Sequence, residues 1–421
     1  MASLALLSSA SCAQASTSDL PFLGPLAPEL PAPRGLAVGI DEENANLISP
    51  GTVDAAFAPW RDRLAALRPQ FARLDVIWSR IQPRADRPPD FDQAQGGCVR
   101  DTPPCAPYAG VRAQLRALAQ RRQVDGGGWE PYVVVFGAPG WATVERSGCV
   151  PDAVGSTGLA VAPEHRAAYG RLIAGLIEAG REEGIPLRLF SAWNEPNQPA
   201  FIAPQRRRCD VASPTVSADS YAGLVRALRD ALDAAPGDQR IVLGETAGYD
   251  RPLPTATGAA EFVRALPEDV VCAGDVWAQH AYVGGSRPGP AADLAADADR
   301  SASADLLAEL ERALDARGCP RPKRIWITET GVGGDKPGAP RPRSPEALRD
   351  GCRAMHAALR TWAQNRRVDA AFQYTFREDD SYPVGLVDTA LNRAYPTYDL
   401  WRAWAARPPG APAPELPAAC R

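Results

Sequence analysis

Eight short apolar runs, each separated from the next by a segment of different character, constrain this chain more than anything else in it. They lie at Leu36–Ile40, Phe71–Ile77, Tyr132–Phe136, Leu187–Trp193, Ile241–Leu243, Val276–His280, Ile325–Thr328 and Ala371–Tyr374. Each is short, rich in β-branched or aromatic residues and nearly continuous in its apolar character, as expected of strands buried on both faces. Between them the apolar residues recur at helical spacing. Examples are Phe57, Trp60, Leu64 and Leu67; Tyr169, Leu172 and Leu176; and Leu306, Leu307, Leu310, Ala313 and Leu314. Strands alternating with helices give a parallel sheet covered on both sides. Eight such units predict an α/β chain closed into a (β/α)8 TIM barrel, a single domain with long βα loops. An open doubly wound sheet is the competing fold, but no G-x-G-x-x-G follows the first run.

Composition bounds the function. A hydrophobic fraction of 45% in 421 residues supplies a sizeable core, and a net charge of −4 argues against a nucleic-acid footprint. No apolar run reaches the roughly 18 residues needed to span a membrane. Three histidines leave little for a histidine-rich metal site, and neither metal nor other cofactor is expected. The 42 prolines and 36 glycines read as long, stiffened loops and not as disorder.

Residues 1–15 read as a signal peptide without a basic n-region: Leu4–Leu7 are apolar and Ala13-Gln14-Ala15 fits a cleavage site. Export follows as the expectation, with a lipid anchor at Cys12 as the weaker alternative. Residues 16–34 form a proline-rich lead-in, 35–405 the barrel domain, and 406–421 a Pro/Ala-rich tail.

In a barrel of this kind the chemistry sits where the strands run out into the following loops. Two glutamates stand there, each after an apolar run and each followed by a turn former: Glu195 in Trp193-Asn194-Glu195-Pro196-Asn197, and Glu329 in Trp326-Ile327-Thr328-Glu329-Thr330-Gly331. Two carboxyl groups facing each other across a barrel mouth can divide the acid and nucleophile roles on a glycosidic bond. Spacing alone does not say which takes which role. Glu245 after the fifth run is a candidate substrate contact. Trp78 and Trp141 are candidate platforms for a sugar face. The run Arg206-Arg207-Arg208 reads as solvated.

These motifs resemble the clan of retaining (β/α)8 glycoside hydrolases, clan GH-A, including its family 39-like and family 5-like members. The resemblance spans roughly Gly35 to Tyr398. It rests on Asn-Glu-Pro after the fourth strand and the second glutamate on the seventh. Further marks are Arg73 on the second strand, Trp78 through Pro83 at that strand's exit, and the His280-x-Tyr282 pair on the sixth. The resemblance implies an O-glycoside hydrolase acting by double displacement on a poly- or oligosaccharide. Glu329 is then the nucleophile, held ionised by Arg73 and Tyr282, and Glu195 is the acid/base. Asn194 is then a contact to the sugar 2-hydroxyl, and His280 a further substrate-binding position. The clan's tryptophan at the end of the eighth strand is missing; Phe372-Gln373-Tyr374-Thr375-Phe376 stands there, leaving Tyr374 or Phe376 for that place. A transglycosylase, or a barrel that binds carbohydrate without cleaving it, would share much of this pattern. Insertions at Arg84–Tyr108, Thr143–Ala162 and Gln198–Ser217 shape the cleft, and no motif in them names the sugar.

Nine cysteines are an odd number. If Cys12 leaves with the leader, eight remain, with about a hundred pairings in the abstract. The barrel narrows them. Cys98 and Cys105 share a loop, Cys149 and Cys209 lie on adjacent loops, Cys272 and Cys319 precede the sixth and seventh strands, and Cys352 is placed to hold the tail through Cys420. Four such staples suit an exported protein.

Overall fold

The computed structural model describes residues 35–51, 54–249, 251–283, 304–333, 340–379, 382–408 and 410–421. The expected leader (1–15), the lead-in (16–34) and Cys12 lie outside the described residues.

The eight runs form eight strands: β1 (Ala37–Asp41), β2 (Phe71–Ile77), β3 (Glu130–Phe136), β4 (Leu189–Ser191), β5 (Arg240–Thr246), β6 (Val276–His280), β7 (Arg324–Thr330) and β8 (Val368–Tyr374). They pair in chain order, all parallel, and β1 closes on β8. Closure excludes the open sheet, which would leave two unpaired edges. β5 and β7 extend to polar ends such as Arg240, Thr246 and Arg324, because ladder hydrogen bonds continue past the apolar stretch. β4 is shorter than its run, since ladder pairing with β3 ends at Ser191.

Side chains alternate between two buried layers. Ala37, Phe71, Tyr132, Leu189, Val242, Val276, Trp326 and Phe372, one from each strand, fill the barrel interior. Their neighbours in sequence, among them Val38, Ala72, Val133, Phe190, Leu243, Trp277 and Ile325, face the surrounding helices. Four rings plug the interior: Phe71 lies 4.7 Å from Trp326 and 5.7 Å from Phe372, and Tyr132 lies 5.8 Å from Trp326. Gly39 makes room for them, because a Cβ there would fall 2.3 Å from the Phe372 ring. The helical periodicities also correspond to helices. Tyr169, Leu172 and Leu176 form the buried stripe of helix Arg166–Glu182, and Leu307, Leu310 and Leu314 are buried in helix Ala304–Asp315.

All four expected cysteine pairs are joined, with Cα separations of 4.5 Å (Cys98–Cys105), 4.9 Å (Cys149–Cys209), 5.3 Å (Cys272–Cys319) and 5.5 Å (Cys352–Cys420). The last ties the proline-rich tail to helix Pro345–Gln364, and His356 donates to the Pro414 carbonyl at 3.0 Å. Among the described residues no helix is long and apolar enough to cross a membrane.

Candidate active site

Glu195 follows β4 and Glu329 lies in β7, and His280 at the end of β6 sits between them. Ligand atoms of the three lie within 4.8 Å of one another. The His280 Nδ1 is 2.9 Å from Glu195 Oε1 and 3.4 Å from Glu329 Oε2. Both catalytic candidates are therefore at one mouth of one barrel, with an imidazole shared between them.

Irregular backbone aims these groups. Between β6 and β7 the register slips so that His280 pairs with Glu329 while Gln279 pairs with Ile327, leaving Thr328 as the extra residue. Without that bulge Glu329 would continue the outward face of Ile325 and Ile327. β5 has a second bulge: Gly244 pairs with Ala278 and Thr246 with Gln279, so Glu245 has no partner in the ladder. Gly244 has φ +95°, and a Cβ there would fall 2.5 Å from the Ala278 carbonyl. Glu245 and Glu195 have φ +55° and +35°, in the left-handed region that non-glycine residues seldom occupy. Such strain and such bulges concentrate at functional sites, where they redirect a side chain.

Arg73 organises the floor. Its side chain has no solvent exposure. Nη1 donates to Asp41 at 2.7 Å and to Asp75 at 2.8 Å. Nη2 donates to Asn194 at 2.7 Å and Glu245 at 3.0 Å, and lies 2.9 Å from Glu329 Oε1. Burial opposes its charge, but Asp75, Glu329, Glu245 and Asp41 outweigh burial and keep the guanidinium protonated. Tyr282 donates its hydroxyl to Glu329 Oε2.

The carboxyl groups respond differently to a shared environment. Glu329 is expected to be held ionised by its partners, but burial outweighs the opposing pull of His280 and Arg73 and pushes it up to about 7. Burial also penalises Glu245, yet Arg73, His280 and Tyr132 together hold it down at about 2. Burial would lower His280, but Glu329, Glu195 and Glu245 overcome it and hold the imidazolium to about 10. Glu195, His280 and Glu329 could form a metal-ligand set by position alone. Both ring nitrogens are already taken up by carboxylates, Nδ1 by Glu195 and Nε2 by Glu245.

Other expected residues sit as follows. Asn194 is buried and presents its Oδ1 to Arg73. Tyr374 ends β8, half-buried, with its ring 6.3 Å from that of Tyr282; Phe376 is fully buried, leaving Tyr374 as the aromatic at this position. Three expectations are corrected. Glu245 has no exposure, and its oxygens are taken up by Arg73, Tyr132 and His280, which leaves it beneath the site and not against a substrate. Trp78 is fully buried, edge-on to Trp141 and Tyr169, so it offers no face to a sugar. Arg206 is buried and bonded to the Leu253 and Ser213 carbonyls and to Glu261, so it is not solvated; Arg207 and Arg208 are exposed. Trp141 is half-buried against Trp78 and His165.

Sequence reasoning missed Gln198, which donates to Glu195 Oε2, and Tyr382, whose ring lies 4.5 Å from that of Tyr282. Gln198 could have been found from its place one turn beyond Glu195. Tyr382 follows no apolar run and carried no signal.

A cavity of about 820 Å³ opens beside this cluster, lined by Asp41, Glu43, Asp75, Tyr108, Phe136 and Tyr374. One wall is the Cys98–Cys105 loop. Arg377, itself buried, holds that loop through the carbonyls of Gly97 (3.1 Å), Thr102 (3.0 Å) and Pro104 (3.0 Å). The expected insertion at Arg84–Tyr108 thus does shape a cleft.

No protein-family model matches the chain, and no curated protein matches it. Solved structures do. SrfJ from Salmonella typhimurium superposes with a TM-score of 0.57 at 11% identity, over 94% of this chain and 80% of that one. An endo-β1,6-glucanase gives 0.54 at 14% identity, over 91% and 79%. The catalytic domain of the family 30 xylanase C from Talaromyces cellulolyticus gives 0.51 at 14%, over 91% and 78%. At these identities the likeness establishes the fold. That fold fits the barrel of clan GH-A glycoside hydrolases, as the sequence motifs implied.

Proposed function

We propose that the chain is a retaining O-glycoside hydrolase acting on a poly- or oligosaccharide, with Glu329 as nucleophile and Glu195 as acid/base. One observation carries the reading: Glu195 and Glu329 face each other across His280 with oxygens within 4.8 Å, while, of the two, Glu329 alone pairs with the Arg73 guanidinium and accepts from Tyr282. Inverting enzymes place their carboxyl groups about 6.5–9.5 Å apart to admit a water, and retaining enzymes about 5–5.5 Å apart. The shorter distance here suits direct attack.

In the first step a Glu329 oxygen forms a bond to the anomeric carbon as the glycosidic C–O bond breaks, and the departing oxygen takes the proton of Glu195. In the second, water attacks that carbon, Glu195 accepts the water's proton, and the bond to Glu329 breaks. Arg73 and Tyr282 hold the attacking carboxylate and receive it again when it leaves. Asn194, whose Oδ1 accepts from Arg73, is assigned the contact to the 2-hydroxyl. The cavity beside Tyr374 supplies room for the glycone. The four disulfides support an exported enzyme.

The roles separate chemically. On aryl glycosides with good leaving groups, Glu329→Ala loses turnover, and added azide restores part of it, giving a glycosyl azide of inverted configuration. Glu195→Ala with azide gives the retained configuration. Full activity in the Glu329→Ala variant, or the same azide product from both, refutes the assignment.

A further inference from the structure

Glu245 is the best-held carboxylate in the site and the one a substrate cannot reach. Its side chain is entirely buried. Tyr132 donates to Oε1 at 2.6 Å, and Arg73 Nη2 and His280 Nε2 both meet Oε2 at 3.0 Å. The bulge and left-handed backbone at this residue are what turn it inward, because alternation from Ile241 and Leu243 would send it to the helix-facing layer. A strained backbone that spends its effect on a group with no access to substrate implies that Glu245 acts through a neighbour. His280 is that neighbour. With Nε2 tied to Glu245, the ring cannot turn over, and Nδ1 faces Glu195 at 2.9 Å.

We propose that Glu245 is a positioning residue for the acid/base: its carboxylate locks the His280 ring and balances its charge, so that Nδ1–H remains a fixed donor to Glu195 through both steps. This rests on reading Glu195 as the acid/base. When Glu195 has given up its proton, the His280 donor stabilises the carboxylate left behind. When Glu195 recovers a proton from water, the ring is already in place and nothing has to reorganise. The charged and titratable groups around His280 are Asp41 from β1, Arg73 from β2, Glu195 after β4, Glu245 from β5, Tyr282 beyond β6 and Glu329 from β7. Of the two carboxylates that bond the ring directly, only Glu245 takes no part in the reaction. It alone can hold a constant charge opposite the ring.

The test is direct because the chain has only three histidines, so a ¹⁵N-histidine-labelled full-length protein gives a readable spectrum, with His280→Asn assigning the resonance. In the native protein the His280 imidazole is expected to stay protonated past pH 9, with both nitrogens carrying protons. In Glu245→Gln it titrates at a pH lower by about one unit or more, since an uncharged amide no longer balances the ring. Glu245→Asp keeps the charge and restores the high titration point. On an aryl glycoside, Glu245→Gln lowers kcat and moves the alkaline limb of the profile downward, leaving KM within about threefold. Unchanged titration of His280 in Glu245→Gln, or a near-ordinary titration in the native protein, overturns the proposal. The spectrum needs no substrate, so it fails or succeeds independently of the glycosidase reading.

Discussion

Tyr132 on β3 donates its hydroxyl to Glu245 on β5 at 2.6 Å, reaching up from the ring plug that fills the barrel. One side chain thus belongs to the core by its ring and to the site by its oxygen. The barrel packing and the electrostatics of the mouth are joined at this bond.

Replacing Tyr132 by Phe keeps the ring and removes the bond. A hydrogen bond to a charged group contributes about 1.5–3 kcal/mol, so urea denaturation is expected to show a loss of that size. Turnover is expected to fall, with KM little changed, because Tyr132 is fully buried. Unchanged stability would mean that Glu245 finds another donor.

On the proposed function the nucleophile, Glu329, sets the acid limb of the pH profile. Glu329 must be ionised to attack, and burial pushes it up to about 7. kcat/KM is therefore expected to fall as pH drops below about 7, well above the ordinary carboxylate range. His280 pulls Glu329 downward, so His280→Asn should move this limb to higher pH. A limb near pH 4.5 in the native enzyme counts against the arrangement.

The same group makes stability depend on pH. Because the folded-state value of Glu329 lies above its ordinary 4.5, its favourable contribution is complete below pH 4.5 and is lost as pH rises through about 7. Glu329→Gln has no proton to lose. It should match the native protein at pH 4.5 and exceed it by about 3 kcal/mol well above pH 7. Melting curves at pH 4.5 and pH 8.5 check this, and a variant less stable at the higher pH contradicts it.

How much of this was legible follows from strand alternation. Phe71 faces the interior, so Arg73 and Asp75 follow it inward at period two, and Val276 carries His280 in the same way. Those positions can be read from the sequence. Glu245 and Glu329 have the parity of Leu243 and Ile327, which face the helices, so alternation alone points both the wrong way. Only the one-residue bulges reverse them, and no composition signal marks a bulge except the glycine at 244. The resemblance to known motifs points to Glu329; Glu245 lies in no motif, and position at a strand end alone makes it a candidate substrate contact. Trp78 failed for a related reason: an aromatic at a strand exit can point toward the mouth or, as here, pack between Trp141 and Tyr169.

The grip of Arg377 on the Cys98–Cys105 loop runs through main-chain oxygens of Gly97, Thr102 and Pro104. Every residue type supplies such an oxygen. The attachment is therefore indifferent to which side chains the loop displays, while the loop's own cross-link keeps its ends together. Val99 and Arg100, which line the cavity, take no part in that hold. On the proposed function the loop is a cassette: the faces it turns to a sugar are set apart from the bonds that anchor it and from the carboxyl groups at the mouth.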